Sequence, residues 1–296
     1  MNRRHWLLLG AGALLVGKLM PAQAAPTRGM RRQYVLAVEA VQLPAWVTRA
    51  GRREPLAPGD MVSTSHALET GTGAAAVLRM PEQSVIRLGE KTRLEVLQWQ
   101  AAMGQDGLEV RSRFKLAAGF FRYVGGAVSS LLGKREIDVM LRSSAIGIRG
   151  TDFWSMTDSE HDAACLFEGR IEITATEQGT LVLDRPTAFW ARFFRQGPQP
   201  VGNATAEQLA TFIASTDVRP GSGVAVVGGR WRIAYGTATP AAAAQLLARL
   251  REAGYPAVLD AANEVRVNNF ASARDAQSVL ERISGLAGAD GRVMRS

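Results

Sequence analysis

The sequence predicts a multidomain chain: an all-β region over residues 46–200, either a sandwich or a short β-solenoid, followed by an α+β region over residues 230–296. Three observations lead there. Turn signals recur at short intervals, from Pro58-Gly59-Asp60 through Gly71-Thr72-Gly73 and Pro81-Glu82 to Gly125-Gly126, Glu168-Gly169 and Gly179, and short strands between frequent turns make an all-β domain. Beyond Pro220-Gly221-Ser222-Gly223 and Gly228-Gly229 the period changes, and apolar residues recur at helix spacing. Finally, the chain holds 1 Cys in 296 residues, so no intramolecular disulfide can close and both regions must rest on burial of their 47% apolar residues.

Taken in order, residues 1–24 read as a cleavable export signal. A basic start (Asn2 to His5) precedes the apolar run Trp6 to Val16 and the small-x-small site Ala22-Gln23-Ala24. The apolar run is shorter than the roughly 20 residues a spanning helix needs. Arg3-Arg4 leaves both the Sec and the Tat route open. Removing Arg3, Arg4 and Lys18 leaves 32 basic against 27 acidic residues, a net +5, and no transmembrane segment remains after cleavage. Residues 25–45 are expected to be a mobile segment ending near Pro44.

Within residues 46–200 two hairpins are expected. One turns at Glu168-Gly169, with Cys165, Phe167, Ile171, Ile173 and Ala175 facing in and Arg170, Glu172 and Thr174 facing out. The other joins Val77–Met80 to Val85–Leu88 across Pro81 to Ser84. A helical turn is expected at Ala127 to Leu132, and Cys165 reads as a core residue. Residues 201–229 read as a Pro/Gly linker with one short helix over 205–213, capped by Thr205.

Trp231 to Tyr235 then reads as a strand. A helix follows, starting at Thr239-Pro240, carrying Ala243, Leu246, Leu247 and Leu250 on one face, and stopping at Gly254. Two short strands cover 256–260 and 264–268. Ser272 and Asp275 box the start of a second helix with Ala276, Val279, Leu280 and Ile283 as its stripe, and residues 292–295 return as a strand. The order β-α-β-β-α-β is the split βαβ arrangement, in which both helices cover one face of a four-stranded sheet and the other face stays bare.

The strings GGRWRIAYGTATPAAAAQLLARLREAGYPAVL and EVRVNNFASARDAQSVLERI resemble the ferredoxin-like SPOR domain (sporulation-related repeat). That resemblance implies binding to peptidoglycan, on glycan strands denuded of stem peptides, through the uncovered sheet face. It assigns Arg232, Ala234 and Gly236 of the first strand and Glu264, Arg266 and Asn268 of the third to that face, and Trp231, Ile233, Tyr235, Val265 and Val267 to the helices. In the family pattern, Ala234 replaces a glutamine, Glu264 an arginine and Asn268 a glycine. These departures keep a second reading open, an envelope protein whose SPOR-like domain binds a protein partner.

The stretch from PAWVTRAGRREPLAPGD through VLRMPEQSVIRLGEKTRLEV to SAIGIRGTDFW and CLFEGRIEI resembles the FecR domain. Its A-x-I-R-G-T-x-F signature corresponds to Ala145 to Phe153 with an extra Gly147, and carries Ile148, Arg149, Gly150, Thr151 and Phe153. FecR domains are periplasmic β-rich signalling modules. Together the resemblances imply a periplasmic, non-catalytic cell-envelope protein that binds glycan and presents a FecR-like interaction or sensing module.

Other chemistries lack support. Gly71 to Ala76 approximates a dinucleotide fingerprint without its βαβ context. His66 and His161 have no ligand-spaced partner, so no metal or cofactor is expected. Nucleophile elbows and H-E-x-x-H are absent, and export together with missing stacking aromatics on the third strand argues against nucleic acid.

Overall fold

A computed structural model describes residues 36–105, 107–125, 135–197 and 199–296, with the side chains of Arg149 and Gly150 excepted. The expected export signal and the expected helical turn at 127–132 lie outside the described residues. In chain order the first strands are β1 (Leu36–Gln42), β2 (Ala45–Arg49), β3 (Arg52–Pro55), β4 (Met61–Val62), β5 (Ala67–Thr70), β6 (Ala75–Arg79), β7 (Val85–Leu88) and β8 (Arg93–Gly104). They are followed by β9 (Gly107–Val124), β10 (Arg135–Met140), β11 (Ser144–Thr157), β12 (His161–Ala175), β13 (Gly179–Leu183), β14 (Ala188–Phe193) and β15 (Gly202–Asn203). Then come α1 (Ala206–Ala214), β16 (Val224–Val226), β17 (Trp231–Tyr235), α2 (Pro240–Glu252), β18 (Ala257–Leu259), β19 (Val265–Phe270), α3 (Ala273–Ala287) and β20 (Gly291–Arg295).

Of the two β architectures the sequence allows, the pairings make a two-sheet sandwich. One sheet runs β4-β1-β6-β7 and continues through the second half of β9, the second half of β11 and the first half of β12 to β14 and β15. The other runs β3-β2-β5-β8, then the first halves of β9, β10 and β11, the second half of β12, and β13. Three long strands therefore belong to both sheets. Strands that switch sheets do so at bulges or bends. Gly119 (φ 92°) marks the bend of β9, and a Cβ there would collide with Thr92. β11 and β12 cross side by side, where the β11–β12 register slips between Arg149 and Asp152 and Gly169 takes φ 86°.

That corner corrects the first expected hairpin. Glu168-Gly169 is not a turn; β12 passes through it unbroken, pairing with β14 before it and β13 after it. Gly169 supplies the left-handed backbone that a hairpin turn and a bulge both require, so the local signal is the same for either. The second hairpin forms as expected, with Arg79 opposite Val85 and Leu78 opposite Ile86. Its turn is closed by Met80 N–H donating to the Ser84 carbonyl at 2.9 Å.

Between the sheets lie fully buried Val38, Leu78, Ile86, Phe114, Tyr123, Phe153 and Ile173. A second apolar cluster sits outside, where α1 covers the first sheet. Phe212 stacks on Trp154 with centroids 4.1 Å apart and on Phe189 at 5.7 Å, and Trp154 Nε1–H donates to Ser215 Oγ at 2.9 Å. Cys165 is buried in this cluster, as its apolar neighbours suggested, and burial pushes its thiol up to about 12. Thr205 caps α1 in a capping box with Gln208.

Two expectations about chain segments are overturned. Within the segment expected to be mobile, Leu36–Gln42 is a buried strand, paired with β6 on one edge and with β4 and β16 on the other. The expected linker is likewise fixed. Its β16 pairs with β1 and, at Ala225 opposite Phe270, with β19, carrying the first sheet into the C-terminal one. The last three residues of the sandwich strand β1, Val41 and Gln42 among the buried ones, have β16 as the partner along their outer edge.

The C-terminal strands pair antiparallel in the order β18-β19-β17-β20. Ile233, Tyr235, Val265, Val267 and Phe270 are fully buried together with Ala243, Leu246, Leu250, Ala276, Val279 and Ile283 of the helices. Thr239 caps α2 with Pro240 in its first turn, Gly254 takes φ 86° beyond its end, and Ser272 caps α3. Hydrogen bonds join this region to the sandwich: Trp46 Nε1–H to the Glu252 carbonyl (3.0 Å), Ala45 N–H to the Gly254 carbonyl (3.2 Å), and Arg282 Nη1 to the Leu43 carbonyl (2.6 Å). Buried Asp275 does not close the expected capping box: its Oδ2 accepts from the Ser272 hydroxyl at 2.5 Å, not from the Ser272 backbone N–H. Its Oδ1 accepts from the backbone N–H groups of Gly221, Gly223 and Val224 at 2.7, 3.2 and 3.0 Å. The described residues thus form a single compact unit.

Candidate functional site

On β17, β19 and β20, residues alternate between the helices and the opposite face. Register places Ala234 between Arg266 on β19 and Arg292 on β20, with Val258 of β18 beyond Arg266. One row across the sheet thus reads Val258, Arg266, Ala234, Arg292. The face is crossed by an ion-pair lattice. Arg266 contacts Asp260 and Glu264, each at 2.5 Å, and Arg292 reaches the second oxygen of Glu264 at 3.0 Å. Hydrogen bonds from Arg266 and Arg292 hold Glu264 below its ordinary pKa. Asp260 is held low by the backbone N–H of Glu264, then by that of Ala262 and by the charges of Arg266 and Arg232. Both carboxylates are ionised at neutral pH, so the lattice is a fixed array of alternating charge.

Of the six residues assigned to this face, Arg232, Glu264, Arg266 and Asn268 are half-buried and Gly236 is exposed just past the end of β17. Ala234 departs from expectation. It is 0% exposed, so it contributes a floor between two arginines and no contact of its own. Asp260, Val258 and Arg292 belong to the same face and were not singled out by sequence; Arg292 could have been, because it alternates with Val293 on β20. A β-bulge also lies here. Trp231 opposes Phe270 and Ile233 opposes Val267, so two residues, Asn268 and Asn269, stand against Arg232, and Asn269 takes φ 69°.

The residues of the A-x-I-R-G-T-x-F signature are placed differently. Ile148 and Phe153 are core residues, and Thr151 is buried with its hydroxyl donating to the Glu168 carbonyl across the β11–β12 corner. Asp152 pairs with Arg122 through two hydrogen bonds of 2.9 and 2.8 Å, and Arg122 also lies over the Phe167 ring. The signature builds the sheet-switching corner. The side chains of Arg149 and Gly150 lie outside the described residues.

Residues 66–172 match the family model described as FecR protein. The chain carries a FecR domain. The match runs from the edge of β5 to the second half of β12 and so contains all three sheet-switching strands, while β1–β4 and β13–β16 complete the sandwich around it. Two crystal structures of a candidate anti-sigma factor from Parabacteroides distasonis ATCC 8503 are similar at 16% and 14% identity. They cover 75% of this chain and 92% and 91% of theirs, each with a TM-score of 0.38. No curated protein matches the chain. Among the described residues no helix is long and apolar enough to cross a membrane.

Proposed function

We propose that this is a non-catalytic periplasmic protein of the cell envelope that binds peptidoglycan through its C-terminal sheet face and holds its FecR domain at the wall for envelope signalling. The observation that carries this reading is the polar face of β18-β19-β17-β20. Both helices pack on the opposite side, the strand order is that of the split βαβ fold, and the resemblance of residues 230–296 to SPOR domains adds the ligand class, denuded glycan strands. Arg232, Arg266 and Arg292 offer donors to sugar hydroxyl and carbonyl oxygens, and Asp260 and Glu264 keep the arginine stems extended across the sheet. The FecR family points to signalling as the purpose of the sandwich.

Retention of the protein without residues 1–24 on purified sacculi, with and without amidase treatment, tests this. Retention that rises after amidase treatment and falls in Arg232→Ala and Arg266→Ala is the expected result; no retention on either sample overturns it. The second reading, a scaffold whose C-terminal sheet binds a protein, draws on buried Ala234 and on arginines already engaged by carboxylates. Crosslinking in cells that captures one protein partner independently of sacculi would favour it.

A further inference from the structure

The face just described does not end at β18. Beside it a cleft of about 260 Å³ opens between the sandwich and the C-terminal region, with Arg49, Glu54 and Asp60 on one wall and Arg251, Asn268 and Asn269 on the other. Val258 and Asn268 belong both to the cleft and to the sheet face, so the two surfaces are continuous.

In a regular strand Asn268 and Asn269 would point to opposite faces. The bulge opposite Arg232, with Asn269 in the left-handed region, instead brings both to the same cleft, which is the re-aiming that bulges perform beside binding sites. Asparagine tolerates that backbone better than most residues. Neither carboxamide has a hydrogen-bond partner among the described residues, and each offers a donor and an acceptor. The charges around them are already satisfied. Arg49 pairs with Asp60 at 3.2 Å and with Glu54 at 3.6 Å, and Arg251 Nη1 donates to the Ala257 carbonyl at 3.3 Å. With two cations and two carboxylates in balance, the cleft suits a neutral ligand rich in hydroxyl and amide groups. Its volume lies just under the roughly 300–1,000 Å³ of small-molecule sites, enough for a single ring-sized unit.

We infer that this cleft is a saccharide subsite in which an N-acetylated sugar of a strand lying across the sheet face is held between the sandwich and the C-terminal region. The inference rests on the glycan reading of that face. It adds that the sandwich touches the ligand directly, so that occupancy of the glycan site is felt by the part of the chain that contains the FecR domain.

The test compares retention on amidase-treated sacculi of the wild type, the double variant Asn268→Ala/Asn269→Gly, and Arg49→Gln on the sandwich wall. Glycine keeps the left-handed backbone at 269, and thermal unfolding checks that each variant folds. A soluble N-acetylglucosamine oligomer, titrated by calorimetry, serves as a second probe. Retention and oligomer affinity should fall about tenfold in the double variant, as expected for one or two lost hydrogen bonds, and measurably in Arg49→Gln. Unchanged binding in both variants overturns the subsite and leaves the sheet-face reading standing. Loss in the double variant alone confines the ligand to the C-terminal region and overturns the shared cleft. No binding by the wild type overturns both.

Discussion

The first sheet of the sandwich and the C-terminal sheet follow the same alternation, yet their outer faces differ. The outward positions of the sandwich sheet at Phe120, Trp154, Cys165 and Phe189 are apolar, and α1 lies over them through Phe212. On the C-terminal sheet the corresponding face carries Arg232, Glu264, Arg266 and Arg292, and both helices pack on the other side. Period-two patterning says only that a strand has two kinds of face. The chemistry of the second face decides whether the chain covers it with apolar side chains or leaves it polar and uncovered by its helices.

Four substitutions or titrations sharpen this contrast. Trp154→Ala should have the largest effect, since it removes a 3% exposed ring stacked on Phe212; a loss of ~3–5 kcal/mol in denaturant unfolding is expected. A loss below about 1 kcal/mol would mean that α1 merely rests on the sheet. Asp275→Ala strips the acceptor from three backbone N–H groups. We expect a cost of ~2–3 kcal/mol and new protease cleavage near Gly221 to Gly223, and resistance to cleavage would show that the pairing of β16 fixes this stretch without the carboxylate.

Glu82→Gln should act in the opposite direction. This carboxyl is 2% exposed, and burial raises its pKa, against the opposing effects of its own backbone N–H, the Arg135 charge and the Ser84 hydroxyl. A carboxyl whose folded pKa lies above its unfolded one binds more protons when folded, so stability declines as pH rises from the unfolded towards the folded pKa. Removing the charge should stabilise the protein at neutral pH and flatten that pH dependence, read as a gain in denaturation midpoint over the wild type that is larger at pH 7 than at pH 4. The smallest effect concerns Glu264 and Asp260. Their pKa values are depressed, so their contribution is present above the ordinary carboxylate range of about 4 and is lost as pH falls through the lowered folded values. Side-chain carboxyl shifts in NMR should therefore stay constant from neutral pH down into that range; titration of Glu264 at an ordinary value would break the lattice described on this face.

Much of the architecture was legible because its signals are local. Thr205, Thr239-Pro240 and Ser272 announce helix starts through capping chemistry that needs no distant partner, and the C-terminal strands fall within a residue or two of where alternation places them. Glu168-Gly169 was misread for an equally physical reason. A glycine at positive φ fits a turn or a bulge, and only the presence of β13, β14 and β11 around it selects the bulge. The face residues Arg232, Glu264 and Arg266 came from the resemblance to SPOR domains, whereas burial of Ala234 depends on its cross-strand neighbours, and Asn269 joins Asn268 at one cleft only because of the bulge.

By itself, then, the sequence determined the two region types, the helix boundaries and the polar character of the C-terminal sheet face, since composition, caps and periodicity act over a few residues. Tertiary structure alone decided that residues 36–42 and 224–226 pair and weld the regions into one body, that three strands serve both sheets, and that a cleft opens beside the sheet face. Those outcomes depend on strand partners as far as 186 residues apart in the chain (Ala40 opposite Val226), which no local pattern encodes.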